Sequence, residues 1–383
     1  MKKTFKTMEI ILLSLAHLMH DTFSAFLSPL LPLLIAKLNM SLSMIAFLDI
    51  TRRLPALFNP FLGLLAERVG IKYFVILTPA ITAASMTLLG VSNSAPIVFL
   101  LLFISGVSGT LFHLPSPVMI KEASGNQVGT GMSFFMVGGE LARTLGPLII
   151  ITAVSFWSLE KIYRLMPIGI GASIILFYKL KNFELHRPVH RLRQSGDIKK
   201  LLIEHHLFLL AIGGFTLFQA GIKSALTLYL PVYLTGKGTS LWIAGVSLSI
   251  LQFSGVIGAM VAGNISDSIG RRNTLVIASI GTVLFTALFI LTQNVIFLGF
   301  LGFFLLSTGP VLMASVQDTE TAMPTFMNSI YMTVNFGVGS LAVFAVGLMG
   351  DIIGLDKTYI VFCVFALGMI PMAFLIQKTR YHR

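Results

Sequence analysis

Apolar runs of about 18 to 25 residues, separated by short polar breaks, recur along the whole chain. Each is long enough to cross a hydrocarbon core of roughly 30 Å as an α-helix. The pattern predicts spans at 9–36, 42–65, 73–91, 96–119, 129–155, 162–179, 207–234, 240–265, 274–292, 295–317, 322–349 and 358–377. The one long polar run, Lys179 to Lys200, falls between the sixth and seventh of these. The expected organisation is therefore an all-α integral membrane protein of twelve transmembrane helices in two pseudo-symmetric bundles. An N-terminal six-helix bundle occupies 1–179, a basic linker 180–206, and a C-terminal six-helix bundle 207–383.

Composition agrees. Hydrophobic residues fill 55% of the 383 positions and charged ones 11%, with a mean hydropathy of +0.89. In lipid only helices and closed barrels satisfy every backbone group, and runs this long and apolar are helices.

The net charge of +12 would suggest a nucleic-acid partner, but the distribution of bases excludes it. With these spans most Lys and Arg fall on one side of the membrane, including Lys2, Lys3 and Lys6, the central run, and Lys378, Arg380 and Arg383. The positive-inside rule then puts both termini and the central run in the cytoplasm, which requires an even number of spans. The apolar start resembles a signal peptide but continues to Ala36 without a small-residue cleavage site, and is read as a retained first helix. The external loops, at Ala95 and Asn294 for example, are too short to house chemistry. The single cysteine, Cys363, excludes an internal disulfide framework.

An ionised residue inside a membrane helix costs at least about 2.5 to 3.5 kcal/mol, so it faces a wet cavity or a partner. The spans carry His17, His20 and Asp21 on helix 1; Asp49, Arg52 and Arg53 on helix 2; His113 on helix 4; Glu140 and Arg143 on helix 5; and Lys223 on helix 7. At 1.5 Å per residue Asp21, Arg52, Arg53, Glu140, Arg143 and Lys223 all fall near the midplane. Asp49 stands three and four positions before Arg52 and Arg53, and Glu140 three before Arg143, so local ion pairs are expected. The balance is cationic, and arginine's planar fork suits carboxylate or phosphate oxygens. An anionic or zwitterionic substrate is inferred, with Arg52, Arg53, Arg143, Lys223, His113 and Gln219 as candidate substrate-binding residues.

His17, His20 and Asp21 lie at i, i+3 and i+4, on one helical face. Three such groups on one helix with no second cluster do not define a metal site, and no metal is expected. Proton coupling suits them better, because His and a half-buried Asp titrate near neutral pH. Asp21, Glu140, His20 and His17 are the proton-coupling candidates. The linker histidines His186, His190, His205 and His206 are read as solvated.

A repeat links the halves. Gly63, Glu67, Arg68 and Gly70 recur about 200 residues later as Gly263, Asp267, Gly270, Arg271 and Arg272, each set following the second helix of its half. Glycines permit a sharp turn, a carboxylate is expected to cap the next helix, and the bases hold the loop in the cytoplasm. The pattern resembles the signature loop of the major facilitator superfamily, with Glu67 and Ile71 as departures in the first copy. That resemblance implies two halves rocking about a midplane site.

Further residues narrow it. Phe112-His113 leads to Ala123-Ser124-Gly125, then through Gly129, Ser133 and Phe135 to Val137-Gly138-Gly139 and Leu145-Gly146-Pro147. His17, Asp21 and Pro32-Leu33-Leu34 on helix 1, and Asn59-Pro60 before Gly63, complete a set that resembles the fosmidomycin-resistance branch, a group of bacterial drug exporters. The small residues on helix 5 let it pack closely and bend. Against that branch, Leu114-Pro115 replaces Pro-Glu, Val118 an Arg, Met132 and Met136 two glutamines, Glu140 an Asn and Arg143 a small residue. The site is recharged, so the resemblance implies a related anionic metabolite, phosphonate or amphiphile rather than fosmidomycin.

The function expected is a proton-coupled antiporter exporting an anionic or zwitterionic small molecule across a bacterial plasma (inner) membrane. It would be a multi-pass monomer with the lipid bilayer and its substrate as partners, no nucleic acid, and no cofactor beyond the proton gradient. A proton-driven importer of an organic anion and a lipid flippase use the same residues and stay open, as does a sensor that acts through a partner. An enzyme is disfavoured: there is no nucleophile elbow and no phosphate loop.

Overall fold

The structure is a computed structural model that describes residues 5–58, 72–113, 115–125, 127–183, 198–319 and 324–376. Among the described residues there is no strand, and eleven helices are long and apolar enough to cross a membrane. The remaining expected span, 42–65, is described only to Phe58. The first-copy residues Gly63, Glu67, Arg68 and Gly70 lie outside the described residues, as does 184–197 of the linker.

The helices are α1 (Thr7–Ser24), α2 (Leu27–Leu38), α3 (Leu42–Arg53), α4 (Lys72–Leu88), α5 (Ala95–His113), α6 (Ser116–Ser124), α7 (Val128–Trp157) and α8 (Met166–Leu180). After them come α9 (Ile198–Glu204), α10 (His206–Thr227), α11 (Leu230–Gly236), α12 (Leu241–Ile269), α13 (Arg271–Thr292), α14 (Ile296–Gln317), α15 (Pro324–Ile353), α16 (Leu355–Phe365) and α17 (Met369–Leu375). The chain forms two compact units: Met1–Pro188 with Leu234–Ser249, and Val189–Tyr233 with Ile250–Arg383.

In the first unit α1 packs along α7, α4 along α8 and α5, and α3 along α5. Its core joins Ile10, Leu13 and Ala16 of α1 to Val75 and Ile76 of α4, Phe112 of α5, Phe135 of α7 and Leu176 of α8. Helices have no hydrophobic incentive to associate in lipid, so close backbone approach at small residues carries the packing. A Cβ on Gly131 would touch Ile10 at 3.5 Å, one on Gly138 would strike the Ser14 carbonyl oxygen, and one on Gly146 would lie 2.9 Å from that of Thr22. The contacts climb both helices in the same order, so α1 and α7 run parallel.

The first span is broken at Ala25–Phe26, between α1 and α2. Pro29 has no N–H to return to the Ala25 carbonyl, which weakens the ladder there. Arg52 supports this break: its Nη1 donates to the Ser24 carbonyl at 3.0 Å and to Ser24 Oγ at 3.2 Å.

In the second unit α10 packs on α15 and α17, and α13 on α14. Close approach follows the same rule here. A Cβ on Gly302 of α14 would strike the Leu251 carbonyl of α12, just as one on Gly106 of α5 would strike the Arg52 carbonyl of α3. The internal repeat thus extends to packing: equivalent glycines, about 200 residues apart, let the fourth helix of each half press on the backbone of the second.

Candidate functional site

The polar face of α1 meets α4, α5 and α7. His17 and His20 are buried, and Asp21 is 7% exposed. The His17 ring stacks on Phe135 with centroids 4.1 Å apart, and the His20 ring stacks on Phe112 at 4.6 Å. Apolar rings hold these imidazoles, while backbone and side-chain oxygens decide their protons.

His17 Nδ1 lies 2.8 Å from the Phe135 carbonyl oxygen. A carbonyl only accepts, so Nδ1 carries the hydrogen and donates. Gly139 makes this reach feasible: it stands one turn beyond Phe135, and a Cβ there would fall on the His17 ring. His17 Nε2 then faces Asp21 Oδ2 at 3.3 Å.

His20 Nδ1 lies 3.0 Å from Thr82 Oγ1, which lies 2.8 Å from Ser108 Oγ. Ser108 donates to the Thr78 carbonyl at 3.1 Å. Ser108 has one hydroxyl hydrogen, so Thr82 donates to Ser108 and His20 Nδ1 donates to Thr82. This chain ties α1 to α4 and α5 and sets the His20 tautomer.

The other carboxylate oxygen of Asp21, Oδ1, faces His113 Nε2 of α5 at 3.1 Å. The His113 side chain is 47% exposed against 10% for that of Asp21. The three rings meet edge-on, His113 to His17 at 5.2 Å and to His20 at 5.6 Å. The ligand atoms of His17, Asp21 and His113 lie within 4.8 Å of one another, a spacing a cation would also accept. Each Asp21 oxygen thus has an imidazole nitrogen beside it, at 3.3 and 3.1 Å.

Asp49 is fully buried and takes both neighbouring arginines: Arg52 Nη2 donates to Oδ1 at 3.1 Å, and Arg53 Nε lies 2.6 Å from Oδ2. The i+3 and i+4 spacing predicted one such pair, and both form. One carboxylate thus holds two guanidinium groups, leaving an excess positive charge with Arg53 half exposed. On α7, Arg143 Nη1 donates to Glu140 Oε1 at 2.9 Å, the expected i, i+3 pair, with Arg143 about half exposed.

In the second unit Gln219 is buried, its Nε2 2.6 Å from Thr308 Oγ1 and 3.1 Å from the Leu305 carbonyl oxygen. These contacts tie α10 to α14. Lys223, one turn further along α10, is exposed.

The second loop copy is a charge cluster. Arg271 contacts the Asp267 carboxylate and donates from Nε to Asp318 Oδ2 at 2.9 Å. Asp267 was expected to cap the next helix; instead Gly270 stands at the N-cap of α13 with no side-chain cap bond, and the carboxylate binds Arg271. Gly270 has φ +90°, which explains the glycine at the turn. Gly263 has open space where a Cβ would stand, and Arg272 lies over the Phe374 ring at 4.7 Å.

Several participants were invisible to sequence reading. The Phe135 carbonyl, Ser24, Thr82, Ser108 and Asp318 enter through contacts between distant helices. Membrane Ser and Thr were the only available signal, and they are too common in helices to single out.

A polytopic helical protein with two similarly built units and a polar cluster inside the first is the architecture of a membrane transporter. The sequence profile of the Major Facilitator Superfamily matches residues 13–343, and the chain belongs to that family. It is 22% identical to the fosmidomycin resistance protein of Escherichia coli (strain K12), over 94% of this chain and 91% of that one. It is 26% identical to the multidrug resistance protein MdtG of Citrobacter koseri, over 76% of this chain and 74% of that one. Among solved structures, a D-xylose-proton symporter superposes with a TM-score of 0.79 at 14% identity, covering 98% of this chain and 99% of that one. A bacterial homolog of the human lysosomal transporter Spinster gives 0.76 at 13%, covering 98% and 97%. These likenesses show the major facilitator fold.

Proposed function

We propose that the chain is a proton-coupled antiporter that exports a small zwitterionic molecule with an anionic group from a bacterial cell by alternating access. It acts as a monomer in the plasma membrane, with both termini in the cytoplasm and no cofactor beyond the proton gradient. The observation that carries this reading is Asp21, a buried carboxylate with an imidazole on each oxygen and, among the described residues, no arginine. A carboxylate so placed gains or loses a proton without dismantling the ion pairs of Asp49 and Glu140. Excess cationic charge at Arg52 and Arg53, which share the Asp49 carboxylate, suits a phosphonate, phosphate or carboxylate group, and Arg143 and Lys223, each exposed in its own unit, are proposed as further contacts for such a group. The names of two relatives, which describe drug resistance, support export.

The sign of coupling follows from charge. Protonating Asp21 adds positive charge, which disfavours the ammonium end of a zwitterion and favours a plain anion. Antiport therefore fits a zwitterion whose ammonium group competes with the proton at Asp21, a differential-affinity argument. A plain anion would travel with the proton, which is the importer reading.

The test is pH-gradient dissipation in inside-out vesicles challenged with zwitterionic phosphonates, organic anions and lipophilic cations, beside Asp21→Asn. Proton efflux driven by zwitterions and lost in the variant is expected. Proton movement in the same direction as an anion would favour import, and a response to lipophilic cations alone would overturn the substrate class.

A further inference from the structure

The two imidazoles at Asp21 are not equivalent. His17 is buried, its Nδ1–H committed to the Phe135 carbonyl and its ring packed between Phe135 and the backbone at Gly139. His113 has its Nε2 at Asp21 Oδ1 and much of its ring exposed. Among the described residues, other charged groups nearby have partners of their own. His20 on α1 is bound through Thr82, Glu140 and Arg143 on α7 pair with each other, and Arg52 on α3 is divided between Asp49 and Ser24.

We infer that His113 is the proton-transfer group connecting Asp21 to water, and that the Asp21–His17 pair keeps one proton throughout the cycle. The inference rests on the proton-coupled reading and moves His113 from substrate binding to proton transfer. With Nδ1–H directed at Phe135, His17 Nε2 and Asp21 Oδ2 stand 3.3 Å apart. Two bare lone pairs at that distance repel, so one proton lies between them, as imidazolium with carboxylate or as imidazole with acid. The second proton arrives through His113. Its Nδ1 takes a proton from water and its Nε2 releases one to Asp21 Oδ1. The ring stays neutral as the other tautomer, and the trio gains one positive charge. The reverse transfer resets it: Nε2 takes the proton back from Asp21 Oδ1 and Nδ1 returns one to water, which the half-exposed His113 can do and His17, with its Nδ1–H held by Phe135, cannot.

The experiment needs no transported substrate. Purified full-length protein in detergent and nearly unbuffered solution is subjected to a small pH jump, and proton uptake is followed with a pH dye by stopped flow. The phase that Asp21→Asn removes reports Asp21. His113→Ala is expected to slow that phase about a hundredfold, the low side of a lost acid–base group, with its amplitude kept. Added imidazole is expected to restore the rate in His113→Ala, which leaves a gap, and not in His113→Gln, which fills it. An unchanged rate in His113→Ala, a slowed rate that imidazole cannot restore, or no Asp21-dependent uptake in the wild type would each overturn the assignment. Vesicle transport is a separate readout, so a relay without coupled flux would remove the antiporter reading and leave His113 in place.

Discussion

Gly139 and His17 occupy one another's space: the imidazole lies where a β-carbon on Gly139 would stand. That missing atom lets His17 reach the Phe135 carbonyl one turn back along α7, and so sets which nitrogen faces Asp21. A packing glycine thus decides the proton arrangement of the polar cluster.

Gly139→Ala should therefore act on the cluster more than on the fold. The His17 ring must shift, breaking its bond to Phe135, at a cost of about 1–3 kcal/mol for overpacking. A lowered melting temperature in detergent, with the Asp21-dependent proton phase altered, is the expected result. A wild-type proton phase would show that His17 does not need Phe135.

Gly138→Ala should be worse for stability than Gly139→Ala. Its β-carbon meets the Ser14 backbone, which cannot rotate away, whereas a ring can. Gly106→Ala and Gly302→Ala meet backbone carbonyls in the same way, while Gly171→Ala and Gly309→Ala meet nothing within 4 Å. Melting temperatures of the five variants should divide along that line, and a uniform set would contradict the packing account.

Asp49→Asn leaves two guanidinium groups without their carboxylate. The expected loss is roughly 3 kcal/mol, the low side for breaking a buried pair, because Arg53 keeps access to solvent. Arg53→Ala should be tolerated and Arg52→Ala should not, since only Arg52 also holds the Ser24 carbonyl at the α1 break. Yield of monodisperse protein and thermal melting would check the order.

Arg143→Ala and Lys223→Ala should each weaken binding of an anionic phosphonate by about one unit in log Kd, taking about 1.5 kcal/mol for a charge-assisted contact. Equilibrium binding to purified protein measures it. Unchanged affinity would assign Arg143 to its pair with Glu140 alone.

Gly270→Ala should cost about 1 kcal/mol or more from backbone strain at φ +90°, with no steric clash to add to it. Asp318→Asn removes one of the two carboxylates on Arg271 without touching the turn. Comparing melting of the two variants separates turn geometry from charge pairing.

Much was legible along the chain because lipid imposes strict local demands. Apolar run length specifies the spans, and i, i+3 and i+4 spacing paired Asp49 with one of its two arginines and Glu140 with Arg143, since those separations share a helix face. The repeated loop and small residues of the fifth span pointed to the family for the same reason: they are contiguous signals. Asp21 and His17 can be placed on one face, but the contact of His113, 92 positions beyond Asp21, with the same carboxylate cannot be read from spacing. Nothing in local spacing says which imidazole will meet which oxygen.

By itself, then, the sequence determined the solvent, the helices, the pairing within each helix and the family. Only the tertiary structure decided that Asp21 is held by a histidine on each oxygen, that Phe135 selects the His17 tautomer through a gap at Gly139, and that Arg52 supports the α1 break. The physical reason is range. Hydrophobic periodicity and i, i+4 contacts act within a helix, whereas a hydrogen bond between helices depends on ångström-scale backbone separation, set by where small residues let two helices touch.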